Sequence, residues 1–154
     1  IDIVVSATSV ALSPIFYFHS MAVMNFVSTD TIYCSYPRLT FQHLSLVNAG
    51  ALYYGGHTDD IVDAMRKYMS HGFEYVRCKD VHNVSSTCKV CTRSLTGGAM
   101  MSFNFLAIPS RSHTMHEVFR EFGILNLQWC LGGMPCGLEL AFCHPHVDIV
   151  EEES

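Results

Sequence analysis

Apolar positions along this chain fall into short runs broken by Pro, Gly and Ser clusters, and their spacing separates strand-like from helix-like segments. Residues 1–12, 15–27 and 31–41 read as three strands, separated by Ser13-Pro14 and by Ser28-Thr29-Asp30. The second run holds Ile15, Phe16, Tyr17, Phe18, Val23, Phe26 and Val27, an aromatic and β-branched set that suits a buried strand. Tyr53-Tyr54-Gly55-Gly56 breaks the chain, and a helix is expected from Thr58 to Gly72. Thr58 supplies the N-cap and Asp59 and Asp60 favour the first turn; Ile61, Val62, Met65 and Met69 repeat at helical spacing, and Gly72 terminates. A short strand over 74–77 leads into a Cys/His loop that ends at Thr96-Gly97-Gly98. Residues 99–108 form a strand stopped by Pro109, and 112–122 a second helix closed by Gly123. Residues 124–131 and 137–149 are extended, with Gly132-Gly133-Met134-Pro135 between them. The order lacks a regular βαβ rhythm. It predicts an α+β fold, with a mixed or antiparallel sheet, two helices and a zinc-tied loop.

Composition supports a packed domain. Apolar residues make up 49% of the chain and charged residues 15%, so there is enough side chain to bury and too little charge for a disordered chain. The length of 154 residues fits one domain, 1–154, with a Cys/His module embedded at 78–91. Residues 1–27 contain no Lys or Arg, but Pro14 and His19 interrupt any spanning helix, and the start Ile1-Asp2-Ile3 lacks the basic residues of a signal peptide. The expectation is buried sheet, no membrane partner, and an intracellular, nuclear or cytoplasmic location.

The formal charge of −5 opposes non-specific nucleic-acid binding, which requires many cations to displace condensed counterions. Yet Arg66, Lys67, Arg77, Lys79, Lys89 and Arg93 concentrate in one stretch, leaving room for a local basic face.

Seven cysteines with nine histidines point to zinc rather than to paired disulfides, because an odd thiol count cannot close on itself and thiolate with imidazole is the usual zinc donor set. The pattern Cys78-x3-His82-x5-Cys88-x2-Cys91 provides four donors, with the Cys88/Cys91 gap short enough for both sulfurs to reach one ion from a tight turn. Ser85, Ser86 and Thr87 can bend the loop back. Cys130, Cys136, Cys143 and His146 form a looser second candidate set, whose Cys130 and Cys143 also suit a plain apolar core.

Catalytic motifs are not evident. His113, His116 and Glu117 lack the His-Glu-x-x-His spacing, Pro135-Cys136 is not followed by the second cysteine of a zinc deaminase, and the Gly pairs are not phosphate loops. An enzyme that uses Cys and His brought together in space stays open as an alternative.

Several short patches resemble the adenovirus early-region-four 34K family. They are Asp60-Ile61 with Met65 and Met69, then His71-Gly72-Phe73-Glu74 followed by Cys78, then Met101-Ser102-Phe103, and Gly123-Ile124-Leu125-Asn126 with Cys130 and Cys136. They thread through residues 60–143. The chain differs in having Tyr53-Tyr54-Gly55-Gly56-His57 where the family carries a cysteine cluster, and Glu151-Glu152-Glu153-Ser154 where it has an arginine-rich helix. The resemblance implies a zinc-stabilised viral adaptor that binds host proteins and joins an Elongin–cullin ubiquitin ligase to its targets. Ser94-Leu95 with Ala99 and Phe103 is the only local echo of an Elongin-binding box, and Gly97-Gly98 makes it a poor helix. Arg77, Lys79, Lys89 and Arg93 are the expected partner-binding residues. A nucleic-acid-binding zinc module built on the same cations is the other alternative.

Overall fold

The computed structural model describes residues 3–8, 10–28, 31–50, 58–84, 91–105, 126–133 and 144–150, with backbone alone at 58, 82–84 and 126. Among the described residues, three small sheets and two α-helices that can be given bounds make an α+β fold. In the first sheet, β1 (Asn25–Val27), β2 (Thr31–Cys34) and β6 (Met101–Asn104) lie antiparallel in the order β1-β2-β6. The β1–β2 hairpin is tied by Ser28, whose N–H donates to the Thr31 carbonyl at 2.8 Å. In the second, β3 (Leu44–Ser45) and β4 (Glu74–Tyr75) pair in parallel, a geometry that needs a crossover. The helix α2 (Thr58–Ser70) lies in that crossover, while α1 (Pro37–Thr40) precedes β3. The third sheet orders β5 (Arg93–Ser94), β7 (Asn126–Cys130) and β8 (His146–Val150) as β5-β7-β8, again antiparallel.

The helix α2 follows its sequence signals closely. It starts at Thr58 with Asp59 and Asp60 in the first turn, and it ends two residues before Gly72, which takes the left-handed φ of +90° that suits glycine. Of the strands expected over 74–77, 99–108, 124–131 and 137–149, the described residues show β4, β6, β7 and β8, the last reaching Val150, while 106–108, 124–125 and 137–143 lie outside them. The second expected helix, over 112–122, lies outside the described residues.

The first 41 residues depart from expectation. Residues 3–8 carry no strand, and Ile3, Val4 and Val5 are exposed. In place of a continuous strand over 15–27, single 3-10 turns run over Ser13–Tyr17 and Met21–Val23 before β1 begins. Local hydroxyls supply the reason. Ser6, Thr8 and Ser13 share hydrogen bonds of 2.9–3.0 Å, and the Ser13 hydroxyl donates to the Val10 carbonyl at 3.2 Å. Such side-chain bonds compete with a strand ladder, and Pro14 sits in the first helical turn, where its missing N–H costs nothing. The strand expected over 31–41 stops at Cys34 for the same reason, since Pro37 opens α1.

Burial concentrates in two neighbouring clusters. One holds Val10, Phe16, Tyr33, Leu95, Leu127 and Trp129, with Phe16 stacked on Trp129 at 4.1 Å between ring centroids. The other holds Met21, Met24, Tyr36, Leu39, Leu46 and Leu131. Fully buried Asn48 stitches the layers: its Nδ2 donates to the carbonyls of Phe16 and Phe18, and its Oδ1 accepts from the Gly132 N–H at 2.7 Å. Position 132 must be glycine, since a Cβ there would lie 2.5 Å from the Gly50 nitrogen. No helix among the described residues is long and apolar enough to cross a membrane.

Candidate functional site

The Cys/His loop leaves β4 through a 3-10 helix over Cys78–Val84. Arg77 secures its start, donating from Nε and Nη2 to the two carboxylate oxygens of Asp80 at 2.7 and 3.1 Å. That pairing holds the exposed Asp80 carboxyl below its usual range. In a 3-10 helix, positions three apart eclipse, so Cys78 and Val81 share one face, and both pack on the second cluster. Position 82 is a third of a turn further round. Of the first candidate ligand set, Cys78 is half-buried against the core and Cys91 is exposed just before β5. The side chains of His82 and Cys88 lie outside the described residues.

The second set is partly assembled by strand register. Cys130 on β7 and His146 on β8 face each other as a cross-strand pair. The His146 imidazole lies 3.0 Å from an Asp148 carboxylate oxygen, and the Cys130 thiol lies 3.4 Å from the Leu131 carbonyl. Cys136 and Cys143 lie outside the described residues. Among the described residues no three His, Cys, Asp or Glu side chains gather into a metal-binding group.

Tyr36, which sequence reading passed over, is buried in the cluster on which Cys78 packs. Its phenol is 2% exposed and accepts a hydrogen bond from the Trp129 indole at 3.1 Å. Burial pushes its pKa well above the ordinary phenol range, and Cys78 from one set and Cys130 from the other both add to that shift electrostatically. Arg93 opposes it. The Arg93 guanidinium lies 4.3 Å from the centre of the Tyr36 ring, and its Nη2 donates to the Ala99 carbonyl at 3.0 Å. Burial lowers the Arg93 pKa, while Tyr36 and Cys91 act in the opposite direction. The one advance signal was local: Tyr36 precedes Pro37, and Trp129 is the chain's single tryptophan.

The four expected partner-binding cations therefore differ in placement. Arg77, just before the 3-10 helix, and Lys79 on it are exposed, Arg93 is half-buried on Tyr36, and Lys89 lies outside the described residues. The stretch resembling an Elongin-binding box is strand, turn and strand. Leu95 is fully buried, and Gly97 turns the chain by donating to the Ser94 carbonyl, so no helix is presented there.

The helix α2 stands apart from both core clusters. Its apolar stripe was expected to back onto the core, but Ile61, Val62 and Met65 are half-exposed and Met69 is 58% exposed. Docking falls instead to its C-terminal end, where Tyr68 packs near the rings of His19, His71 and Phe73 at centroid distances of 5.9, 5.8 and 6.3 Å.

No protein-family model matches the chain, and neither a curated protein nor a solved structure matches it.

Proposed function

We propose that this chain is a zinc-stabilised adaptor that acts by binding host proteins, with α2 and the adjoining Cys/His loop as the contact surface. The observation that carries the reading is the half-covered apolar stripe of α2, Ile61, Val62, Met65 and Met69, on a helix fixed to the body through Tyr68. An amphipathic helix whose apolar face is left partly in water gains from a partner that completes its burial. Next in the chain, Lys79 offers positive charge on a 3-10 turn whose start is already held by the Arg77–Asp80 pairing, which lowers the entropy lost on binding. Zinc held by Cys78, His82, Cys88 and Cys91 would tie the far end of that turn, and the pairing of Cys130 with His146 supports a second site. The resemblance to the adenovirus 34K family adds an Elongin–cullin ubiquitin ligase as the partner class to look for first.

The test is affinity purification of the full chain from host-cell lysate beside Met65→Glu and Met69→Glu variants. The expected result is recovery of Elongin and cullin subunits with the parent and their loss from the variants, with zinc content and melting temperature unchanged. Equal recovery from all three proteins would remove α2 from the contact surface.

A further inference from the structure

A second recognition feature lies between α1 and the turn that joins β5 to β6. A half-open pocket of about 170 Å³ is lined by Tyr36, Pro37, Arg38, Leu39, Arg93 and Ala99. Its walls are largely apolar. Its one half-buried charge is the Arg93 guanidinium, whose Nε is shielded from solvent without a hydrogen-bond acceptor. The ion pairs among the described residues are Arg66 with Asp63, Arg77 with Asp80, and His146 with Asp148, so none of these carboxylates serves Arg93. Its ring contact with Tyr36 and its bond to the Ala99 carbonyl satisfy one face and one nitrogen of the fork. A cation withdrawn from water is costly when, as here among the described residues, no carboxylate pairs with it, and a planar guanidinium is shaped to take a carboxylate on two of its nitrogens. Arg38, also in the lining, is exposed.

We infer that this pocket receives an acidic side chain, glutamate or aspartate, from a bound partner polypeptide. The inference rests on the protein-binding reading above and gives it a chemical preference. The apolar walls select the ligand. A carboxylate carried on a methylene stem can lay that stem on Pro37, Leu39 and Ala99, whereas inorganic phosphate, which the guanidinium would also attract, has no stem to place on those walls and loses more solvation against them. The open side leaves room for the partner's main chain to pass outside.

The experiment is a titration of the isotopically labelled full chain, reading the Arg93 Nε–H and Ala99 N–H resonances. The probes are the blocked tripeptide acetyl-Ala-Glu-Ala-amide, the same peptide with Gln, and sodium phosphate. The Glu peptide is expected to shift both signals with millimolar affinity, and the Gln peptide and phosphate to bind at least about tenfold more weakly. Arg93→Lys is expected to weaken the Glu peptide about tenfold through loss of the fork. Glu and Gln peptides of equal affinity, phosphate as tight as the Glu peptide, or unmoved Arg93 signals would each overturn the inference. Because no lysate partner enters this assay, its failure is separate from failure of the α2 surface.

Discussion

The indole nitrogen of Trp129 donates to the phenol oxygen of Tyr36 at 3.1 Å, a bond between residues of the two different core clusters. Tyr36→Phe would keep the ring under Arg93 and remove only the acceptor, leaving the indole N–H buried and unpaired. The expected cost is about 1–3 kcal/mol, read as a lower urea midpoint with an unchanged slope. A parent-like midpoint would show that the bond contributes nothing net.

Asn48 makes the larger contribution. Asn48→Ala strands the buried Phe16 carbonyl and Gly132 N–H together and removes the part-buried bond to the Phe18 carbonyl. Each group left unsatisfied costs about 1–3 kcal/mol, so the variant is expected to be close to unfolded at 37 °C. Circular dichroism melts check this, and a loss below about 1 kcal/mol would contradict it.

His19 predicts a pH dependence. Burial lowers its pKa in the folded state below the ordinary value near 6.5, and its Nε2 lies buried without a partner near Tyr68. The unfolded chain therefore binds more protons than the folded one between the depressed pKa and about 6.5. Stability is full above that window and falls as pH drops through it. In melts from pH 7.5 downwards, His19→Phe is expected to lose less stability than the parent. Parallel curves for the two proteins would exclude His19 as a source of the dependence.

Zinc is tested by elemental analysis of the purified chain, with at least one ion per molecule expected. Cys88→Ala is expected to lose metal and to melt far below the parent, since the energy of structural zinc binding is folding energy. Absence of metal together with a parent-like melt for Cys88→Ala would end the zinc proposal.

The helix α2 was legible in the sequence because each of its signals is local. Thr58, the two aspartates and Gly72 act within a turn of themselves, and the structure puts the helix where they do. The N-terminal strands were misread because aromatic and β-branched content says that a segment is apolar without fixing its period. Phe16 and Met21 are indeed buried, but on 3-10 turns, the first of which is set by Pro14 and a cluster of hydroxyls. The candidate ligands could be proposed from spacing alone; their surroundings could not.

What the sequence by itself determined is the class of fold, the place of α2 and the approximate position of the later strands, all of which depend on neighbours a few residues apart. Only the tertiary structure decided that Tyr36, Arg93 and Trp129 meet, that Cys130 faces His146, and that the stripe of α2 stays half in water. The physical reason is distance along the chain. A cap or a turn is stabilised by groups already tethered beside it, whereas a cross-strand pair or a buried hydrogen bond between positions 36 and 129 exists only after the sheets have packed and excluded water.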